Sequence, residues 1–208
     1  MRRFFSYGPV DTEDHYYAPR NELIEDAYNQ LLGESPQKSG HYITVWAPRQ
    51  CGKTWVMLEV VEKIKNTRRF EVGIISMQSA KKEQNEKKIL EIFIKKINQA
   101  FEKSLPEIQK ISDIPDLFTK QYFQKPVILI LDEFDALIEE SINDFAGIFR
   151  DIFLSRASEK SKKNHEKTHL LHSLALVGVR SVLGIENQTG SPSNRGRCVR
   201  MLQCCRML

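Results

Sequence analysis

A chain of 208 residues, 41% hydrophobic and 28% charged, is long enough for one α/β domain with a sizeable core. No run of about eighteen apolar residues occurs, and Arg2 and Arg3 are followed only by Phe4 and Phe5 before Gly8 and Pro9, which excludes a membrane span and an ordinary secretory leader and points to a soluble cytoplasmic protein. The net charge of +4 is carried by Arg195, Arg197, Arg200 and Arg206, with no acid from Asn187 onward, so the neutral body gives no electrostatic footprint for nucleic acid.

In chain order, residues 1–38 read as a lead-in segment with a helix over 20–32, residues 39–190 as the core, and 191–208 as a basic, Cys/Arg-rich tail. HYITVWA (41–47) is apolar and β-branched between turn residues, a buried strand. KTWVMLEVVEKIKN (53–66) spaces Val56, Val60 and Ile64 as a helix does. EVGIISMQSA (71–80) reads as a second strand, and ILEIFIKKINQAF (89–101) as an amphipathic helix with Ile89, Phe93, Ile97 and Phe101 on one face. PVILILDEFDAL (126–137) holds five consecutive aliphatics closed by acids, the strongest strand signal in the chain. A helix follows, with Phe145, Phe149 and Ile152 on its apolar face, then the polar run 158–169, most simply a solvated loop, with nucleic-acid contact as the alternative. LALVGV (174–179) is a last apolar strand. Strands apolar on both faces that alternate with helices predict an α/β fold, a doubly wound parallel sheet flanked by helices.

The chemistry is concentrated in APRQCGKT (47–54), at a strand-to-helix turn. Phosphate binding there needs a backbone that bends so that its N–H groups converge, a cation and a hydroxyl for Mg²⁺. Gly52, Lys53 and Thr54 supply them at a helix N-terminus whose dipole favours anions. Ala47 stands where such loops begin with glycine. It ends a strand, where φ need not be positive, so alanine is tolerated. In VILILDEFD, Asp132 falls where the carboxyl end of a strand meets the crevice, placing a carboxylate for Mg²⁺, while Glu133 is placed to activate water. The competing reading makes Asp132, Glu133 and Asp135 merely the acidic start of the next helix.

APRQCGKT and VILILDEFD resemble the Walker A and Walker B motifs of P-loop ATPases. The strand between them and the glutamate after Asp132 are similar to the additional-strand, catalytic-glutamate branch that includes AAA+ and STAND proteins, and APRQxGKT resembles the form found in AAA-like, STAND-type ATP-binding proteins. The resemblance covers about residues 4–192. It implies nucleotide binding by Arg20, Ala47, Pro48, Arg49, Gln50, Cys51, Gly52, Lys53, Thr54 and Trp55, metal binding by Thr54 and Asp132, and catalysis by Glu133 and Lys53. YYAPRNELIEDAY (16–28) resembles the STAND segment that lies near the adenine, with Arg20 and Glu22 matched and Pro19 in place of the usual glycine. Tyr16 and Tyr17 either stack on adenine or pack on the helix of 20–32. LALVGVR resembles the sensor-1 strand, which makes Arg180 the residue that reads the γ-phosphate, the alternative being a surface arginine.

The implied function is an ATPase that uses ATP and Mg²⁺ to drive or switch a conformational change, with a protein partner or self-association. The alternatives are a nucleotide-dependent binding module with negligible turnover and a truncated inactive fragment. A small-molecule kinase ranks third, because no arginine-rich lid follows Asp132. Cys51 reads as small filler in the loop. Cys198, Cys204 and Cys205 lack zinc spacing. The resemblance further implies a strand and a helical lid after Arg180. Segment 191–208 has no periodicity for either, so it reads as the product of a frameshift or premature end, or as a real basic tail for an acidic partner.

Overall fold

The computed structural model describes residues 3, 4, 13–16, 18 and 20–179. Arg180 and the segment 191–208 lie outside them. Four strands, β1 (Tyr42–Trp46), β2 (Glu71–Ser76), β3 (Val127–Asp132) and β4 (Leu171–Gly178), form one sheet. Its spatial order is β1-β4-β3-β2 and every pairing is parallel. The last strand in the chain is thus inserted between the first and third. Every residue of β3 and β4 is buried, which is why both read as unbroken apolar runs rather than as alternating ones.

Alternate residues of each strand feed two separate cores. On one face Ile43, Val45, Ile128, Ile130, Ala175 and Val177 meet α1 (Asn21–Leu32) and α2 (Lys53–Asn66). On the other, Val127, Leu129, Leu131, Leu174 and Leu176 meet α3 (Glu86–Phe101), the short α4 (Ile114–Leu117) and α5 (Glu139–Ser158). Aromatic rings fill this second core: Phe145 packs edge-on against both Phe93 and Phe134, with centroids 5.3 and 6.2 Å away. The chain is therefore an α/β sheet wound on both sides. Because all strands run the same way, their carboxyl ends share one edge. Register sets Ser76 beside Asp132 and Trp46 beside Gly178 there.

Two local expectations shift. The strand at 71–80 stops at Ser76, whose hydroxyl accepts the Gln78 N–H at 3.2 Å and turns the chain into a 3₁₀ turn over Gln78–Ala80. The run 158–169 is not simply solvated, since Asn164 and Lys167 are buried. Lys167 Nζ donates to Arg156 O at 2.8 Å. Asn164 Oδ1 accepts from Arg156 Nη2 at 2.7 Å, and its Nδ2 donates to Pro36 O at 2.7 Å. Each buried donor meets an oxygen, which is what makes burying a polar segment affordable.

Candidate nucleotide site

Between β1 and α2 the chain turns sharply within 47–52. Gln50 and Gly52 both have left-handed backbones, φ 60° and 79°. Gly52 caps α2, and a side chain there would have room but a strained φ, so glycine is required for conformation rather than space. Ala47 is buried at the end of β1, with its N–H directed to Gly178 O at 3.4 Å. Lys53, first residue of α2, folds its ammonium over the loop and donates to Ala47 O and Pro48 O, each at 2.8 Å. Cys51 Sγ donates to Pro48 O at 2.8 Å, a packing role in keeping with small filler. Arg20 Nη1 donates to Cys51 O, so the residue just before α1 is fastened to the loop. Arg49 and Gln50 line the cleft, while Trp55 sits half-buried in the first turn of α2. Tyr16 is exposed and lies 4.8 Å from the Phe4 ring.

Across the cleft from Lys53, Asp132 ends β3, 5% exposed. Its Oδ2 accepts from Thr54 Oγ1 at 2.6 Å and its Oδ1 from Glu133 N–H at 2.9 Å. Burial pushes the Asp132 carboxyl above its usual range, and the bonds from Thr54 and Glu133 pull against that rise. Glu133 is left-handed, φ 54°, a conformation that costs a non-glycine residue about 1–3 kcal/mol and needs support from its surroundings. It breaks the strand and leaves its carboxylate at the cleft, where Oε2 accepts from Ser76 Oγ at 2.6 Å.

Arg49, Gln50, Lys53, Thr54, Asp132 and Glu133 line one cleft of about 680 Å³. Gln78, Lys81 and Lys82 after β2, Asp135 to Ile138 after β3, and Gly178 and Val179 at the end of β4 complete it. The predicted residues Lys53, Thr54, Asp132 and Glu133 are thus brought together, with Arg20 behind the loop. Two residues were missed: Ser76, which holds Glu133, and Asp135, which reaches the end of β4. Only the order of strands in the sheet joins them to the site.

A metal would find hard oxygen donors here. Thr54 and Asp132 present a hydroxyl and a buried carboxylate side by side, and among the described residues no cluster of three or more His, Cys, Asp or Glu forms a cage. That donor set suits Mg²⁺ held by one or two protein oxygens and completed by phosphate and water.

A parallel sheet wound on both faces, with β4 inserted between β1 and β3 and a lysine-bearing loop opening α2, defines a P-loop NTPase of the AAA+ type. The chain belongs to the AAA-like domain family, whose sequence model matches residues 5–203. Among solved structures it is similar to Cdc6p from Pyrobaculum aerophilum, at 16% identity and TM-score 0.50 over 82% of this chain and 43% of that one. It is also similar to Drosophila ORC bound to DNA (13%, 0.49, 85% and 46%) and to the Aeropyrum pernix ORC1 protein in complex with DNA (12%, 0.44, 76% and 38%). The likeness to Cdc6p is one of fold, and the chain spans less than half the length of each of these structures. No curated protein matches the sequence. Among the described residues, no helix is long and apolar enough to cross a membrane.

Proposed function

We propose that this domain binds Mg·ATP at 47–54 and hydrolyses it to drive or switch a conformational change, as a STAND-type member of its class with 47–54 as its Walker A motif. The observation that carries the reading is the meeting of Thr54 and Asp132 at 2.6 Å, opposite Lys53 and beside Glu133. Lys53 carries the ammonium for the β- and γ-phosphates, and the loop N–H groups converge on them. Thr54 and Asp132 would hold Mg²⁺, which when bound would supply charge to neutralise the phosphates. Glu133 orients a water and takes its proton. Arg180, which lies outside the described residues, is assigned to the γ-phosphate on resemblance alone, and Arg20 acts through the Cys51 carbonyl rather than by direct contact.

Glu133→Gln tests hydrolysis against its main rival. An enzyme loses phosphate release by about a hundredfold or more while keeping its affinity for ATP. A nucleotide-dependent binding module with negligible turnover changes in neither measurement.

A second reading concerns partners and rests on charge placement. In a parallel sheet every loop that enters a strand lies at the edge opposite the cleft. Those loops, 33–41, 67–70, 118–126 and 159–170, carry eight exposed lysines and arginines, Arg68, Arg69, Lys160 and Lys163 among them, against Glu34, Glu159 and Glu166. The neutral body is therefore polarised, and this edge suits a polyanion such as nucleic acid. Binding of a labelled DNA duplex should weaken with salt, and Lys160→Ala/Lys163→Ala should flatten that salt dependence by about two units. An unchanged slope counts against this edge.

A further inference from the structure

Asp135, the second acid after β3, has no part in the chemistry above, yet it reaches from the turn after β3 to the end of β4. Its Oδ2 accepts from Val179 N–H at 3.0 Å. Its Oδ1 lies 2.8 Å from where a Cβ on Gly178 would stand, so the carboxylate closes on the end of β4 at a position where only glycine leaves it room. Asp135 belongs to the tight turn that follows left-handed Glu133, closed by Ala136 N–H to Glu133 O at 2.9 Å and Leu137 N–H to Phe134 O at 3.3 Å. Three anchors hold that turn. Phe134 is buried in the core, Lys82 N–H reaches Ala136 O at 3.4 Å on the β2 side, and Asp135 reaches Val179 on the β4 side. Of these, Asp135 alone ties the turn to the strand inserted between β1 and β3.

We propose that Asp135 is a positioning residue: by clamping the turn to Val179 over Gly178, it fixes the backbone that aims the Glu133 carboxylate and links that aim to the end of β4. The proposal rests on Glu133 serving hydrolysis. A left-handed residue stays left-handed only where its surroundings over-determine it, and misaiming a base by about an ångström costs rate far more than ground-state affinity.

The test compares Asp135→Ala, Asp135→Asn and Gly178→Ala for steady-state ATP turnover, ATP affinity by calorimetry and Tm. Asp135→Ala should lower kcat about tenfold and leave the Kd for ATP within about twofold. Asp135→Asn keeps an acceptor oxygen for Val179 N–H and should recover most of the rate. Gly178→Ala, which pushes the carboxylate away, should reproduce the Asp135→Ala loss even if that variant folds poorly. Wild-type kcat in Asp135→Ala, a loss equal in Asp135→Asn, or a loss that follows Tm and affinity down together would overturn the proposal while leaving hydrolysis standing. A wild-type protein that binds ATP without turning it over removes hydrolysis first, and this proposal with it.

Discussion

Thr54 Oγ1 donates to Asp132 Oδ2 at 2.6 Å across 78 positions of sequence. The bond joins the first turn of α2 to the end of β3 and leaves two oxygens of opposite character, a hydroxyl and a carboxylate, at one point of the cleft. Because Asp132 is buried and its carboxyl is held above its usual range, keeping it ionised costs stability that a bound cation would offset. Asp132→Asn should therefore raise Tm slightly without Mg²⁺. It should also weaken ATP binding about tenfold with Mg²⁺ but little in EDTA. Equal losses in both conditions would make Asp132 a structural residue and remove the metal from the reading.

Lys53 is held by Ala47 O and Pro48 O, at 2.8 Å each, so its ammonium stays at the mouth of the loop. A charged donor to phosphate contributes roughly 1.5–3 kcal/mol. Lys53→Ala should weaken ATP binding by about a hundredfold, measured by calorimetry. Affinity for adenosine, which has no phosphate, should stay as it was. Unchanged ATP affinity would end the phosphate-loop reading.

Ser76 Oγ donates to Glu133 Oε2 at 2.6 Å, which orients the carboxylate from the neighbouring strand. Ser76→Ala removes the donor without touching the loop. Turnover should fall several-fold with ATP affinity unchanged, and Ser76→Thr should restore it. If Ser76→Ala and Ser76→Thr behave alike, the hydrogen bond has no bearing on the rate.

How much of this was legible beforehand depends on how far apart the partners lie in the chain. The loop 47–54 and the aliphatic run 127–131 are local patterns, and they placed Lys53, Thr54, Asp132 and Glu133 in one crevice. The pairs Ser76–Glu133 and Asp135–Val179 are 57 and 44 residues apart and form only because β3 lies between β2 and β4. No periodicity encodes that order. The polar run 158–169 misled for another reason. Composition reports hydrophilicity, but Lys167 and Asn164 are buried because Arg156 and the backbone offer partners that composition does not reveal. The boundary at Ser76 moved through side-chain chemistry, a hydroxyl capturing the Gln78 N–H, within a stretch whose residues otherwise suit a strand.

His172 provides a prediction about acid stability at the edge opposite the cleft. Its ring is buried, 4.8 Å from the Phe70 ring centroid. Nε2 lies 3.1 Å from Leu32 O and is therefore the protonated nitrogen, while Nδ1 has no hydrogen-bond partner among the described residues. A second proton would sit on Nδ1 with nothing to receive it. Burial, with the Arg156 charge adding to it, accordingly lowers the His172 pKa to about 3. The unfolded chain takes that proton near pH 6.5 and the folded chain only near 3, so between those values the unfolded state binds more protons and stability falls as pH falls. The stabilising difference is complete above pH 6.5 and declines by up to about 1.4 kcal/mol for each pH unit below it. Glu159, held near 2 chiefly by Lys162, loses stability in a lower window, and Asp132, whose pKa is raised, works the other way. Both are the same in a His172→Gln variant, which keeps an amide donor for Leu32 O and cannot titrate. Urea unfolding between pH 7 and 5 should therefore give a shallower decline for His172→Gln than for the native sequence, whatever the offset between them. Parallel declines would mean that His172 takes up its proton in the folded state and that the neutral ring is no part of what holds β4 against α1.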